Sequence, residues 1–189
     1  MTLPRAVHLD SDLIVRIRAG DEDAFAELFG RYYRALCYYA ARIDVTGTGG
    51  EEIVQEVLFR IWMTRDRLMV TNTLSGYLYA AVRNHALNQR ARAKTEGRWR
   101  QAKTLEAIYS PVEAPSAEEE FKAAEMAVAI DDAIAQLPPR CREAFILRRQ
   151  HHMSYAEIAR VMQISPKTVE IQIGNALKRL REALADWMS

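Results

Sequence analysis

Long apolar runs are missing from this chain. No stretch of its 189 residues approaches the roughly 20 consecutive apolar positions that a membrane-spanning helix needs. Residues 1–9 hold no apolar core followed by a cleavage site, so a signal peptide is not expected and a soluble, cytoplasmic protein is. Cysteine is scarce. Cys37 and Cys141 are the only two, far apart and without metal-ligand spacing, which excludes a disulfide framework and suits buried thiols in a reducing compartment. Charge of one sign is not in excess: 26 Lys and Arg against 25 Asp and Glu leave +1. No global field pulls nucleic acid in, and any DNA binding must come from local clusters. Also absent are a Gly-rich phosphate loop, a nucleophile elbow, strand-like alternation and internal repeats. His151 and His152 invite a metal reading, but adjacent histidines on extended chain diverge and no third ligand joins them. His8 and His85 are isolated, and the carboxylates are spread over helix surfaces. Nothing argues for an enzyme, a metal or a cofactor.

What is present is helical periodicity, in a chain 49% hydrophobic and long enough for one or two small cores. A short helix is expected from Asp10 or Ser11 to about Ala19, stopped by Gly20. The next, from Asp21 to about Ile43, repeats Phe25, Leu28, Phe29, Tyr32, Leu36 and Tyr39, an aromatic stripe most simply read as core. Thr46 to Gly50 reads as a flexible turn. A third helix, Glu51 to Met63, buries Ile53, Val54, Val57, Leu58, Ile61 and Trp62, with Glu52, Gln55, Glu56 and Arg60 on its other side. A fourth runs from about Thr73 to Lys94, with Tyr77, Ala80 and Asn84 on one face.

Charge concentrates where the fourth helix ends. Arg83, Arg90, Arg92, Lys94, Arg98, Arg100 and Lys103 are broken only by Glu96. A solvated helix end needs fewer cations than that, and contact with a phosphate backbone is the better reading. From about Gly97 to Ala117 periodicity fails, and Ser110 to Ser116 has loop chemistry, so a tether between two halves is expected here. A helix then carries Ala127, Ile130, Ile134 and Leu137 up to Pro138-Pro139, and another spans Arg140 to Gln150, leaving Arg142, Arg148 and Arg149 wet or on phosphate.

Residues 153–184 read as a helix-turn-helix. Ser154 with Glu157 makes a capping box before a short helix burying Ile158, Ala159 and Met162. After the turn Gln163-Ile164-Ser165, Ser165 caps a longer helix with Pro166 at its first position. Val169, Ile173, Leu177, Leu180 and Leu184 form its apolar stripe. Lys167, Thr168, Glu170, Ile171, Gln172 and Asn175 point outward at its start, where a recognition helix meets base edges. The alternative is a helical hairpin that only packs.

Together these pieces resemble the extracytoplasmic-function (ECF) sigma factors, small initiation subunits of bacterial RNA polymerase in the sigma-70 family. Four stretches carry the resemblance: Gly20 to Phe25 with Leu28 and Tyr32-Tyr33; Glu51 to Val57 ending in Trp62; Tyr77 to Asn84; and Leu137 to Phe145 leading into Tyr155 to Ala159 and Lys167 to Glu170. The tail resembles the branch common in Bacteroidetes-type bacteria.

The resemblance implies an all-α protein of two small helical domains on a flexible linker. Residues 1–96 would form region 2, residues 97–118 the linker and residues 119–189 region 4 with its helix-turn-helix. The implied partners are core RNA polymerase, through the clamp helices of its largest subunit and the flap of its second-largest, promoter DNA, and an anti-sigma protein clamped between the modules. Insertion of the chain into a membrane is not implied. Glu52, Gln55, Glu56 and Arg60 match the clamp-docking surface. Tyr77 stands where the family usually has tryptophan, at the fork of the opening −10 duplex, and Asn84 near the pocket for an unstacked base. Arg83, Asn88, Arg90, Arg92 and Lys94 would join them on −10 DNA. At the −35 element the resemblance implies Arg148, Arg149, Lys167, Thr168, Glu170, Ile171, Gln172, Asn175, Lys178 and Arg179, with the Thr168 end of the helix holding a phosphate. The sequence departs from the family in Glu52 for a frequent aspartate, in Gln163 for the usual turn glycine, and in Glu170 and Gly174 for basic or bulky residues. Gly174 would allow close approach to DNA or to a neighbouring helix. The rival reading is an autonomous helix-turn-helix regulator, which would bind DNA without polymerase.

Overall fold

Periodic apolar residues become helices throughout. The computed structural model describes residues 5–43, 49–95 and 117–187, and among them there is no strand. The helices are α1 (Arg5–Arg18), α2 (Glu22–Ile43), α3 (Gly50–Met63), α4 (Leu74–Thr95), α5 (Ala117–Ala135), α6 (Pro139–Arg149), α7 (Tyr155–Met162) and α8 (Pro166–Ala183). Single 3-10 turns follow α3 at Arg65–Arg67 and α8 at Ala185–Trp187. The fold is all-α, as expected, and α7 with α8 forms the helix-turn-helix. Two ends differ from expectation. α1 starts at Arg5, and α5 starts at Ala117.

Local chemistry sets the boundaries. Gly20 takes φ +87° between α1 and α2. Asp21 then accepts the Ala24 amide at 3.0 Å while Arg16 holds its other oxygen at 2.8 Å. Thr73 caps α4 by accepting the Gly76 amide at 3.2 Å. Both bonds of the Ser154–Glu157 capping box are made, and Ser165 accepts the Thr168 amide at 3.0 Å. The turn between α7 and α8 keeps the left-handed shape without a glycine. Gln163 has φ 55° and ψ 47°, and the Gln163 and Ile164 amides bond back to the Arg160 and Ala159 carbonyls.

Packing corrects two readings. The buried stripe of α8 is Val169, Ile173, Ala176 and Leu180, whereas Leu177 is 48% exposed, because the steps of three and four residues from Ile173 pass through Ala176. Gly50 is no turn residue. It opens α3 against α2, where a Cβ would lie 2.5 Å from the Cys37 carbonyl oxygen and 2.7 Å from the Ala41 amide nitrogen.

The helices before and after the segment 96–116, which lies outside the described residues, pack against each other. α4 lies on α7 and α2 on α6. Tyr39, fully buried, donates to Glu143 at 2.9 Å, and the Arg83 Nε donates to the same oxygen at 2.6 Å. Arg42 pairs with Asp131 at 3.1 Å, Thr73 donates to Glu157 at 3.1 Å, and Gln150 to Tyr38 at 2.7 Å. The Tyr79 hydroxyl meets His151 Nδ1 at 2.7 Å, with the two rings 4.5 Å apart. Nε2 of His151 is buried without a hydrogen-bond partner among the described residues.

Two predictions follow from this packing. Gly50→Ala should cost about 1–3 kcal/mol in urea unfolding, because the methyl meets backbone that cannot step aside. The second concerns acid. Burial, with the His152 charge beside it, lowers the His151 pKa to about 4. The packed state therefore favours neutral imidazole, while the unfolded chain takes up a proton near pH 6.5. Stability should fall as pH drops from about 6.5 to 4, by up to about 3 kcal/mol. His151→Gln should flatten that part of the stability–pH curve, and an unchanged curve would contradict the assignment.

Candidate nucleic-acid interface

Three surfaces gather the residues singled out in the sequence. The first is the outer face of α3, where Glu52, Gln55, Glu56 and Arg60 are all exposed. Gln55 donates to the Tyr33 hydroxyl at 3.2 Å, and Arg60 to Glu56 at 3.3 Å. Phe59 and Met63 stand on this same face, 64% and 59% exposed. Glu52, Glu56, Phe59 and Met63 follow one another by four, three and four residues, so they form a single stripe. That spacing was legible, but the apolar centre it gives the polar surface was not part of the expectation. Beside it Phe25 packs on Trp62 with ring centres 4.9 Å apart, and the Arg65 guanidinium lies over the Trp62 ring, 4.4 Å from its centroid.

The second surface is a hollow between α3 and α4 with a volume of about 240 Å³, lined by Arg60, Tyr77, Asn84, His85 and Asn88 among others. Tyr77, Asn84 and Asn88 thus meet Arg60 of the α3 face, a juxtaposition not visible from either helix alone. Asn84 and Asn88 are exposed, with amides free to present both donors and acceptors. Tyr77 is half-buried, which raises its hydroxyl pKa. His85 forms the floor, reaching Glu56 at 3.0 Å and Gln89 at 2.9 Å.

The basic run divides. Arg90 and Arg92 are exposed on α4. Arg83 faces the opposite way, into the contact with Glu143, and its side chain is 13% exposed. Lys94 belongs to α4, but its side chain lies outside the described residues, as do Arg98, Arg100 and Lys103.

The third surface is α8. Lys167, Glu170, Ile171, Asn175, Lys178 and Arg179 are exposed along it. Lys167 and Glu170 pair at 2.8 Å, so their charges offset each other locally. Ile171, 52% exposed, gives this face an apolar contact. Gln172 differs from expectation: it is half-buried and accepts from the Cys141 thiol at 3.1 Å, so it does not point outward. The Thr168 hydroxyl is drawn into the cap, 2.8 Å from the Ser165 hydroxyl. Arg148 is exposed yet anchored, donating to the Met153 carbonyl at 3.0 Å with its guanidinium 5.5 Å from the Tyr155 ring, and Arg149 is exposed. Arg142 turns back to donate to the Ala135 carbonyl at 2.9 Å.

Two family models match this chain. The one described as Sigma-70 region 2 matches residues 28–96, and the one described as Sigma-70, region 4 matches residues 127–180. Among curated relatives, the ECF RNA polymerase sigma factor SigW of Bacillus subtilis is 25% identical over 179 residues, covering 92% of this chain and 95% of its own. The ECF RNA polymerase sigma factor SigM of Mycobacterium tuberculosis is 27% identical over 175 residues, covering 93% and 84%. Among solved structures, CnrH in complex with the cytosolic domain of CnrY aligns with a TM-score of 0.63 at 23% identity, covering 96% of this chain and 99% of that one. The sigma factor RpoE of Bartonella quintana, in complex with the anti-sigma factor NepR, aligns with a TM-score of 0.65 at 22% identity, covering 85% and 96%. These likenesses concern the fold.

Gly174 lies on the exposed face of α8, and a Cβ built there meets nothing within 4 Å. No neighbouring helix requires it. Gly174→Ala should therefore raise the stability by up to about 1 kcal/mol, the helix-propensity difference, as read in thermal unfolding. A loss of stability would show that the glycine serves the fold.

Proposed function

The chain belongs to the sigma-70 family, with ECF sigma factors as its relatives, and we propose from this membership that it is an alternative sigma factor carrying core RNA polymerase to specific promoters and helping to open them. Residues 1–96 act as region 2, residues 97–118 as the linker and residues 119–189 as region 4. The observation that carries the reading is the hollow between α3 and α4, where the exposed amides of Asn84 and Asn88 stand beside Tyr77 and Arg60. An amide in an open hollow can pair with the edge of an unstacked base, and an aromatic ring beside it can support the strand fork. Arg90 and Arg92, exposed further along α4, meet the phosphate backbone, and Lys94 is proposed to join them.

The α3 face docks on the clamp helices of the largest polymerase subunit. Glu52, Gln55 and Glu56 supply charge complementarity, and Phe59 and Met63 supply the desolvated centre where most interface energy resides. On α8, Ile171 and Asn175 face the major groove at the −35 element, with Lys178 and Arg179 on the backbone, and region 4 meets the flap of the second-largest subunit. An anti-sigma partner fits a groove of about 820 Å³ between α2 and α5, lined largely by apolar groups of Tyr33, Tyr38, Val128, Ile130 and Ile134. Complexes of that kind are present among the structural neighbours. The work is done in the cytoplasm, beside the polymerase. The Bacteroidetes-type placement rests on the tail's sequence alone.

Transcription in vitro with purified core enzyme tests the reading, and start-site mapping should show RNA that depends on this chain. Asn84→Ala should keep polymerase binding but lower promoter opening roughly 5- to 150-fold, the value of a lost base contact of about 1–3 kcal/mol. Permanganate footprinting reads it, and unchanged thymine reactivity at the start site would refute the assignment. Glu52→Lys combined with Gln55→Ala should abolish capture of core polymerase, and an undiminished pull-down would remove the docking face.

A further inference from the structure

We propose that Ile171 reads a thymine: its side chain packs on the C5-methyl group in the major groove, and the bare backbone at Gly174 lets α8 lie close enough for that contact. The inference rests on the reading of α8 as the −35 helix and names the base chemistry of that site. An α-helix turns about 100° per residue, so the buried Val169, Ile173 and Leu180 lie about 160–200° around α8 from Ile171. Ile171 therefore stands at the crest of the helix, as far from the core as a side chain of α8 can be, and it is 52% exposed. It belongs to the N-terminal half of α8, the part of a recognition helix that meets base edges. Lys167, Asn175 and Lys178, all exposed, share the crest within about 40° of it. Ile171 is the one apolar side chain among them. Leu177, the other exposed large aliphatic of α8, is about a third of a turn away.

Neither residue serves the helix itself. Isoleucine is stiff at its branched Cβ, and at the crest it adds nothing to the core. Gly174 has the poorest helix propensity after proline, and a Cβ built there meets nothing within 4 Å. It lies about 60° around from Ile171, on the same outer face. Two choices that the fold does not ask for thus sit side by side. The missing side chain lowers the helix surface on one flank of Ile171 and leaves room there for the edge of a base pair.

The chemistry of the crest selects the base. Isoleucine can neither donate nor accept a hydrogen bond, so of the groups that the major groove displays it can use the thymine methyl. A protein-docking centre gathers several apolar or aromatic side chains in one patch. Here a single apolar side chain is bracketed by two lysines and an amide, which suits a base edge read between phosphates. Glu170, the acid beside the crest, is paired with Lys167 at 2.8 Å, which offsets its repulsion of the phosphate backbone.

Selection from randomised duplex DNA by the full chain assembled with core polymerase yields the sequences it prefers. Each selected thymine is then replaced in turn by deoxyuridine, which removes the methyl and nothing else. With the wild type, at least one replacement should weaken binding about fourfold, the value of one buried methyl-sized group. With Ile171→Ala the same replacement should change nothing, so the two losses do not add. Replacements that act through DNA flexibility or through region 2 weaken both proteins alike. Ile171 is exposed, so the variant should keep its helical circular dichroism. Gly174→Leu gains a better helix former with room around it, so it should stay folded, yet it should bind roughly tenfold more weakly because its side chain holds α8 off the groove. A selected sequence in which no replacement depends on Ile171, or a Gly174→Leu protein that binds as tightly as the wild type, would overturn the proposal. So would an Ile171→Ala protein that loses capture of polymerase, which would assign the crest to a protein surface. If the assembled enzyme selects no sequence at all, the −35 reading of α8 falls and this inference with it; if it selects one that is indifferent to the methyl, the inference alone falls.

Discussion

A carboxylate taken out of water must be met by donors, and the donors that meet Glu143 come from the far side of the molecule in sequence. Tyr39 on α2 and Arg83 on α4 converge on it from α6's neighbours across the packed halves. The contact of α2 and α4 with α6 is centred on that convergence. It ties α2 and α4 to α6 and takes Arg83 out of solvent. Removing one member would leave the others buried without a partner, which costs far more than the pair contributes when intact.

Around this junction the polar contacts are individually modest. Thr73, the cap of α4, donates to Glu157, the acid of the α7 capping box, so the starts of two helices share one carboxylate. His151 is held neutral against Tyr79. An interface composed of caps, tyrosines and a few ion pairs resembles a transient surface more than a core. That suits the proposal that the two halves serve separate sites on a partner.

Much of this was legible because it is local. Capping at Ser154 and Ser165, the stop at Gly20 and the stripe of α3 follow from residues three or four positions apart and stand where the spacing put them, whereas on α2 Leu28, Leu36 and Tyr39 are buried but Phe29, read as core, is 41% exposed. Leu177 was misplaced because Ala176 is too small to advertise a core position. Gln172 was misplaced for a related reason: its partner, Cys141, is on another helix. Glu143 was not singled out from the carboxylates spread over helix surfaces, and Arg83 read as one more cation in a basic run, because pairing across 60 residues leaves no periodic trace. Family resemblance supplied the division of labour between the halves but not their contact. The exposed Phe59 and Met63 were within reach of the helical spacing, had the polar positions around them not claimed the face.

The most direct test of a two-part promoter reader that closes on itself is a distance. Spin labels at Arg67→Cys and Glu182→Cys, both exposed and on opposite halves, in a Cys37→Ser background, report the separation by pulsed electron resonance. The account predicts one short, narrow distance in the free protein and a longer one when it is assembled with core polymerase on promoter DNA. An identical distribution in the two states would contradict it.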